Sequence, residues 1–262
     1  MHPADIDLLA MLKRVRLPTV ANVLPQFVER AATENWSHRD FLAAIVAEEV
    51  SHRETTRIQR SARLARFPYL KTIEEFDFIF QSSIKRSQLG PFLDPDFVSN
   101  GRHLILEGRP GLGKTHLAIA IAYKAIQHGN DALFIPATNL IDDLAAASKE
   151  GRLREATEVY LRHNILIIDE VGYLQHADNA ANVLYGVIDG RCHQKRPMIF
   201  TTNKPLREWG QVLHDRHLAE AILDRILEHG THIELSGKSW RTRNHNSDEV
   251  GILPAPKSIS GI

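Results

Sequence analysis

Three short stretches of this chain carry residue types that could do chemistry on phosphate. The first is Gly108-Arg109-Pro110-Gly111-Leu112-Gly113-Lys114-Thr115, which fits the spacing G-x-x-x-x-G-K-[ST]. Its glycines let the backbone curl so that several N–H groups face one anion. A helix opening at this point adds the positive end of its dipole. Lys114 can then reach the β- and γ-phosphates of a nucleotide, and the Thr115 hydroxyl can ligate Mg²⁺. An apolar run, His103–Leu106, precedes the motif, and a helical pattern, Lys114–His128, follows it. That is the strand–loop–helix context the motif requires. All eight residues are candidate ligands of a nucleotide's phosphates.

The second stretch is Ile165-Leu166-Ile167-Ile168-Asp169-Glu170. Four apolar residues read as a strand buried on both faces, and two carboxylates stand at its C-terminal end. Ligand sites of open α/β sheets lie at such ends. Asp169 is the candidate for holding Mg²⁺, and Glu170 for polarising a water for in-line attack. The alternative for both is a strand that ends in ordinary surface acids; the phosphate loop upstream argues against it. The third stretch, Phe200-Thr201-Thr202-Asn203, closes another strand. The Asn203 amide could meet the γ-phosphate and the attacking water, or simply open a polar loop.

The elements that must position these residues follow from the apolar spacing. Beyond residue 102, short runs at His103–Leu106, Ala132–Ile135, Ile165–Ile168, Met198–Thr201 and His232–Leu235 read as strands. They alternate with helical patterns at Lys114–His128, Asn139–Ser148, Asn179–His193 and Leu218–His229. That alternation predicts βαβ units and a parallel sheet covered by helices on both faces. Residues 1–75 read instead as helical throughout, with Pro18 between two apolar stripes. Ser37 and Asp40 approximate a capping box before a long helix that reaches about Arg66, with Pro68 as its stop. Residues 76–100 read as a linker arm, 101–237 as the nucleotide-binding domain, and 238–262 as a polar tail that is loose at its end.

Composition bounds the rest. The chain has 262 residues, 43% hydrophobic, with 32 basic and 32 acidic side chains. That is a folded protein rather than a disordered chain. The single cysteine, Cys192, cannot close an internal disulfide and fits a reducing compartment. No apolar run approaches the roughly 18 residues of a membrane helix, and the first twenty residues lack a secretory pattern. We therefore expect a cytoplasmic protein with no membrane partner. Among 14 histidines, the pairs His214/His217 and His229/His232 lack companion ligands at zinc spacing, so no structural metal is expected.

Taken together, GRPGLGKTHLA, ILIIDE and FTTN resemble the AAA+ ATPases. Within them the chain is most similar to the IstB-like helper ATPases of insertion-sequence transposition, a group related to the DnaC helicase loaders. FDFIFQSSIKR resembles that family's linker, and LAEAILDRILEHGTHIELSGKSWR its C-terminal block. Arg109 departs from the pattern, which more often has a second proline there. The resemblance implies an AAA+ P-loop core, a parallel sheet flanked by helices, behind the all-helical N-terminal region. It implies ATP and Mg²⁺ as cofactors and ATP-dependent homo-oligomers. Asn203 becomes the sensor-1 residue. Arg225 becomes the arginine finger that enters a neighbouring subunit's site, with Arg216 as its rival, and Arg241 takes a nucleotide or interface role.

The resemblance also implies duplex DNA and the transposase of the same element as partners. Between residues 51 and 71, Arg53, Arg57, Arg60, Arg63, Arg66 and Lys71 face a single acid, Glu54. Arg53, Arg57 and Arg60 fall at i, i+4 and i+7 on one helical face and could meet successive phosphates; the alternative is a solvated helix face. Three other functions compete: a DnaC-like replicative helicase loader with the same site, a DNA-binding scaffold with an idle P-loop, and a metabolite kinase. Glu170 argues against the scaffold, and the missing acceptor-pocket and lid signatures argue against the kinase.

Overall fold

A computed structural model describes residues 7–172 and 180–243. The chain divides into two compact units, Met1–Arg63 and Leu64–Ile262.

The first unit is built from α1 (Leu8–Arg14), α2 (Pro18–Thr33) and most of α3 (His38–Leu64). Pro18 stands at the first position of α2, where its missing N–H costs nothing and its fixed φ suits a helix. The open N–H groups of that first turn find an acceptor far along the chain. Glu49 of α3 is buried and takes hydrogen bonds from Thr19 N at 3.0 Å and Val20 N at 3.1 Å. Its other oxygen holds Arg53 Nε at 2.7 Å. Ser37 caps α3 as expected, with Asp40 N donating to its hydroxyl at 3.2 Å.

The second unit carries one five-stranded sheet of β1 (His103–Gly108), β2 (Ala132–Pro136), β3 (Ile165–Asp169), β4 (Met198–Thr202) and β5 (Gly230–Leu235). The order is β2-β3-β4-β1-β5, and every pairing is parallel. Leu104–Leu106, Ile165–Ile168 and Met198–Phe200 are fully buried, as continuous apolar runs in a two-sided sheet should be. Each such side chain contributes about 1.5–3 kcal/mol. β5, at one edge, buries only Ile233 and Leu235. Between the strands run α6 (Lys114–Gln127), α7 (Ala137–Lys149), α8 (Leu153–Arg162), α9 (Ala180–His193), the one-turn α10 (Trp209–Val212) and α11 (Arg216–Glu228). Asn179, the expected start of α9, lies outside the described residues.

Two departures from the sequence expectations matter for the site. α8 had no counterpart among the expected helices. Of its residues only Tyr160 is buried, with Ala156 packed against the core beside it. The fully buried guanidinium of Arg191 secures the end of α8. It donates to Tyr160 O and His163 O at 2.7 and 2.9 Å, and to Asn164 O and Pro197 O at 3.1 and 2.8 Å. Burial pulls its pKa down to about 9.

The second departure concerns the stretch before β1. The division between units falls at Arg63/Leu64, and residues 64–75 pack with the sheet rather than with the first helices. Ala65 O accepts from Phe134 N of β2 at 2.8 Å, and Thr72 O bonds His116 of α6 at 2.9 Å. The arm expected over 76–100 includes α4 (Arg86–Leu93) and α5 (Asp96–Ser99), with Leu89, Phe92 and Phe97 buried. Its aromatic residues seek cover, which a free linker would not provide. The tail beyond residue 243, where the loose end was expected, lies outside the described residues.

Candidate nucleotide-binding site

Parallel strands all point their C-terminal ends the same way, and here three adjacent tips build the site. The loop after β1 is the glycine-rich motif, Asp169 ends β3, and Asn203 follows β4, which lies between them. This is where ligands of open α/β sheets sit.

Gly111 and Gly113 have φ of 81° and 87°, in the left-handed region that only glycine enters freely. Space enforces the same choice. A Cβ at Gly113 would stand 2.6 Å from the Phe76 ring, and one at Gly111 would stand 2.0 Å from Ser239 Oγ. Gly113 is also the N-cap of α6, so the loop delivers the chain straight into the helix whose N–H groups face an anion. Lys114 opens that helix and is buried. Its ammonium donates to Gly108 O at 2.7 Å and Arg109 O at 2.9 Å. Burial lowers its pKa, while Asp169 and Glu170 act to raise it.

Strand register explains the acidic cluster. Ile168 pairs with Phe200, so the next residues, Asp169 and Thr201, meet at the tips. Asp169 Oδ1 accepts from Thr201 Oγ1 at 2.6 Å and from Thr115 Oγ1 at 2.9 Å. Burial raises the Asp169 pKa, and the two hydroxyls and Lys114 oppose that rise. The Thr201 hydroxyl also accepts from Glu170 N at 2.9 Å. Glu170 sits at φ 59°, a conformation that costs a non-glycine residue about 1–3 kcal/mol and persists only where its surroundings impose it. The turn brings Glu170 to a cavity of about 710 Å³, where Lys114, Thr115, Thr201 and Asn203 also line the wall. Asn203 packs close to the chain after Glu170, since a Cβ at Gly172 would lie 2.5 Å from its Oδ1.

Of the rest of the cavity wall, only Arg241 is given a nucleotide or interface role by the sequence resemblance. Tyr69, Lys71, Phe76 and Phe80 come from the stretch before β1, and Trp240 and Arg241 from the segment after β5. That segment is strapped to the loop: Trp240 N donates to Gly111 O at 2.9 Å. The Trp240 ring meets Phe80 edge to face at 5.0 Å and lies under the Arg243 guanidinium at 3.9 Å. The only advance signal was the Ser239-Trp240-Arg241 pattern. Aromatic walls beside a cluster of polar groups are typical of a small-molecule pocket.

The other candidates lie elsewhere. Arg225, on α11, is 3.4 Å from Asp189 of α9 with its side chain 40% exposed, and it is not part of the cavity wall. Arg216 is 84% exposed and bonds Glu220 one turn on. Arg53, Arg57 and Arg60 all lie on α3 of the first unit. Arg53 is engaged there, bonded to Glu49 and to Arg16 O.

This fold and loop define a P-loop protein of the AAA+ class. Residues 10–248 match the family of IstB-like ATP binding proteins, and the chain belongs to that family. It is 37% identical over 90% of its length to the protein named as the putative ATP-binding protein of insertion sequence IS5376 from Geobacillus stearothermophilus, covering 94% of that relative. It is 35% identical over 97% of its length to the corresponding protein of insertion sequence IS21 from Pseudomonas aeruginosa, covering 93% of it. Among solved structures, the DnaC helicase loader superposes with a TM-score of 0.50 at 22% identity, covering 67% of this chain and 98% of that one. At that identity the likeness establishes the fold alone. Among the described residues, no helix is long and apolar enough to cross a membrane.

Proposed function

We propose that this IstB-type ATPase hydrolyses ATP with Mg²⁺ in the cytoplasm. It assembles with copies of itself on target duplex DNA, and recruits or regulates the transposase of its element. The observation that carries the reading is the bonded line Thr115–Asp169–Thr201, which joins the phosphate loop to the acidic strand tip. Its all-oxygen donor set, a carboxylate between two hydroxyls, suits a hard cation, with Thr115 and Asp169 as the residues that would hold Mg²⁺. A bound Mg²⁺ would supply neutralising charge to the phosphate oxygens.

The chain's own residues divide the chemistry among them. The loop N–H groups and Lys114 bind the phosphates. Thr201 orients the Asp169 carboxylate and holds the Glu170 backbone N–H. Glu170 takes a proton from the attacking water, and Asn203 orients that water. Arg225 lies outside its own chain's cavity, which suits a finger that completes a neighbour's site. Arg53, Arg57 and Arg60 contact DNA phosphates. The insertion-sequence relatives favour a transposase as partner over a replicative helicase.

The test is Glu170→Gln, with ATP turnover and particle mass followed with and without duplex DNA. ATP binding should persist while turnover falls by roughly two to four orders of magnitude. Hydrolysis at the parental rate would remove Glu170 as the base.

A further inference from the structure

The stretch Leu64–Phe76 is fastened to the sheet at one end and to α6 at the other, and carries two side chains to the cavity between them. At one end Ala65 O accepts from Phe134 N at 2.8 Å, on β2, the edge strand. At the other, Thr72 O bonds the His116 ring at 2.9 Å, and Phe76 fills the space beside Gly113. Between these anchors, Tyr69 and Lys71 line the same cavity as Lys114, Glu170 and Arg241. The two differ in availability. Lys71 pairs with Glu75 at 3.4 Å. The Tyr69 hydroxyl makes no hydrogen bond to another described residue, and the residue is 45% exposed.

The cavity wall, whose lining residues surround the phosphate loop, places Tyr69 with Lys114, Glu170 and Arg241. Partial burial raises its pKa, Asp169 and Glu170 raise it further, and Arg241 lowers it. Glu170, which follows the tip of β3, and Arg241, of the C-terminal strap, stand on the same cavity wall. The phenol keeps its proton and stays a neutral donor, so it can approach an anion without leaving a buried charge of its own. Beside Glu170, the group that would prepare the attacking water, the nearest part of a nucleotide is its terminal phosphate.

We propose that Tyr69 is a specificity-determining residue that donates a hydrogen bond to the γ-phosphate, so that the site binds ATP in preference to ADP. The proposal rests on the reading of the cavity as an ATP site and adds a donor from outside the P-loop and strand-tip motifs. Nothing is lost from the fold when the hydroxyl alone is removed, because the ring remains.

The experiment compares the parent chain with Tyr69→Phe, measuring the affinity of a non-hydrolysable ATP analogue and of ADP by calorimetry with Mg²⁺ present. A hydrogen bond to a charged group corresponds to roughly a tenfold change or more in affinity. The analogue should lose that factor in the variant, while ADP affinity stays within about twofold. Equal losses for both nucleotides would mean that Tyr69 only shapes the cavity. No loss for either would mean that the hydroxyl touches neither. Both results overturn the proposal while leaving the ATP site intact. A parent chain that binds neither nucleotide would overturn the ATP reading itself, and the role of Tyr69 with it.

Discussion

Thr201→Val deletes one hydroxyl on which two acidic residues depend. Valine keeps the side-chain shape at this fully buried position, so no cavity forms, and the effect is confined to two hydrogen bonds. The bond to Asp169 Oδ1, at 2.6 Å, has a charged acceptor and is worth about 1.5–3 kcal/mol. The bond from Glu170 N, at 2.9 Å, is neutral, but its loss strands an amide, which costs about 1–3 kcal/mol. That second site is only partly buried, so the lower half of its range applies. The sum is about 2.5–5 kcal/mol, or a fall in melting temperature of roughly 5–20 °C for a domain of this size.

Function should suffer in a recognisable way. Asp169 loses a bond that opposes the upward push of burial, so its pKa rises and the acid limb of the activity profile moves to higher pH. Glu170 loses the hydrogen bond that helps hold it at φ 59°, so turnover should fall more than nucleotide affinity. Thermal denaturation, a pH–rate profile and a binding titration on Thr201→Val and Thr201→Ser provide the readout. Serine keeps the hydroxyl and should recover most of the loss. Unchanged stability and turnover in Thr201→Val would refute this account of the strand tips.

Three further outcomes are expected. Arg225→Ala should bind nucleotide yet lose turnover, and mixing it with Lys114→Ala should restore partial activity, because some interfaces then pair an intact P-loop with an intact arginine; a dead mixture in which mixed assemblies demonstrably form would sink the finger in trans. Changing Arg53, Arg57 and Arg60 together to Ala should weaken duplex binding equally across sequences and flatten the log–log salt slope by roughly one unit for each phosphate left without its arginine; the Arg57/Arg60 double variant controls for removal of the Arg53–Glu49 ion pair, and an unchanged slope in both would leave these arginines as a solvated face. Finally, His103 is buried with Nδ1 accepting from Met198 N at 3.2 Å, and burial, then the charges of Arg191 and His229, hold its pKa at about 4, against 6.5 ordinarily. The unfolded chain binds this proton first, so stability is full above pH 6.5, falls by about 3 kcal/mol between pH 6.5 and 4, and changes no further below that from this group. His103→Asn, which does not titrate, should flatten that part of the stability curve, and an identical curve would exclude His103 as its source.

Local features of this protein were legible in the order of its residues. The phosphate loop is a contiguous run whose glycine spacing, lysine and threonine all act within a single turn of chain, so it could be read without the fold. The five strands were legible because a sheet covered on both faces demands unbroken apolar runs, and the positions of Asp169, Glu170 and Asn203 at strand tips could be read because they follow such runs. Other features exist only through partners distant in sequence. The Thr201 hydroxyl meets Asp169 across 32 positions because two parallel strands lie in that register. Tyr69, Phe76 and Trp240 reach the cavity because chain segments on either side of the core fold back over the loop. No periodicity marks them, since what secures each segment is a handful of backbone hydrogen bonds and ring contacts. The end of α8 is held in the same way, by a single buried arginine on another helix whose four carbonyl partners are backbone atoms.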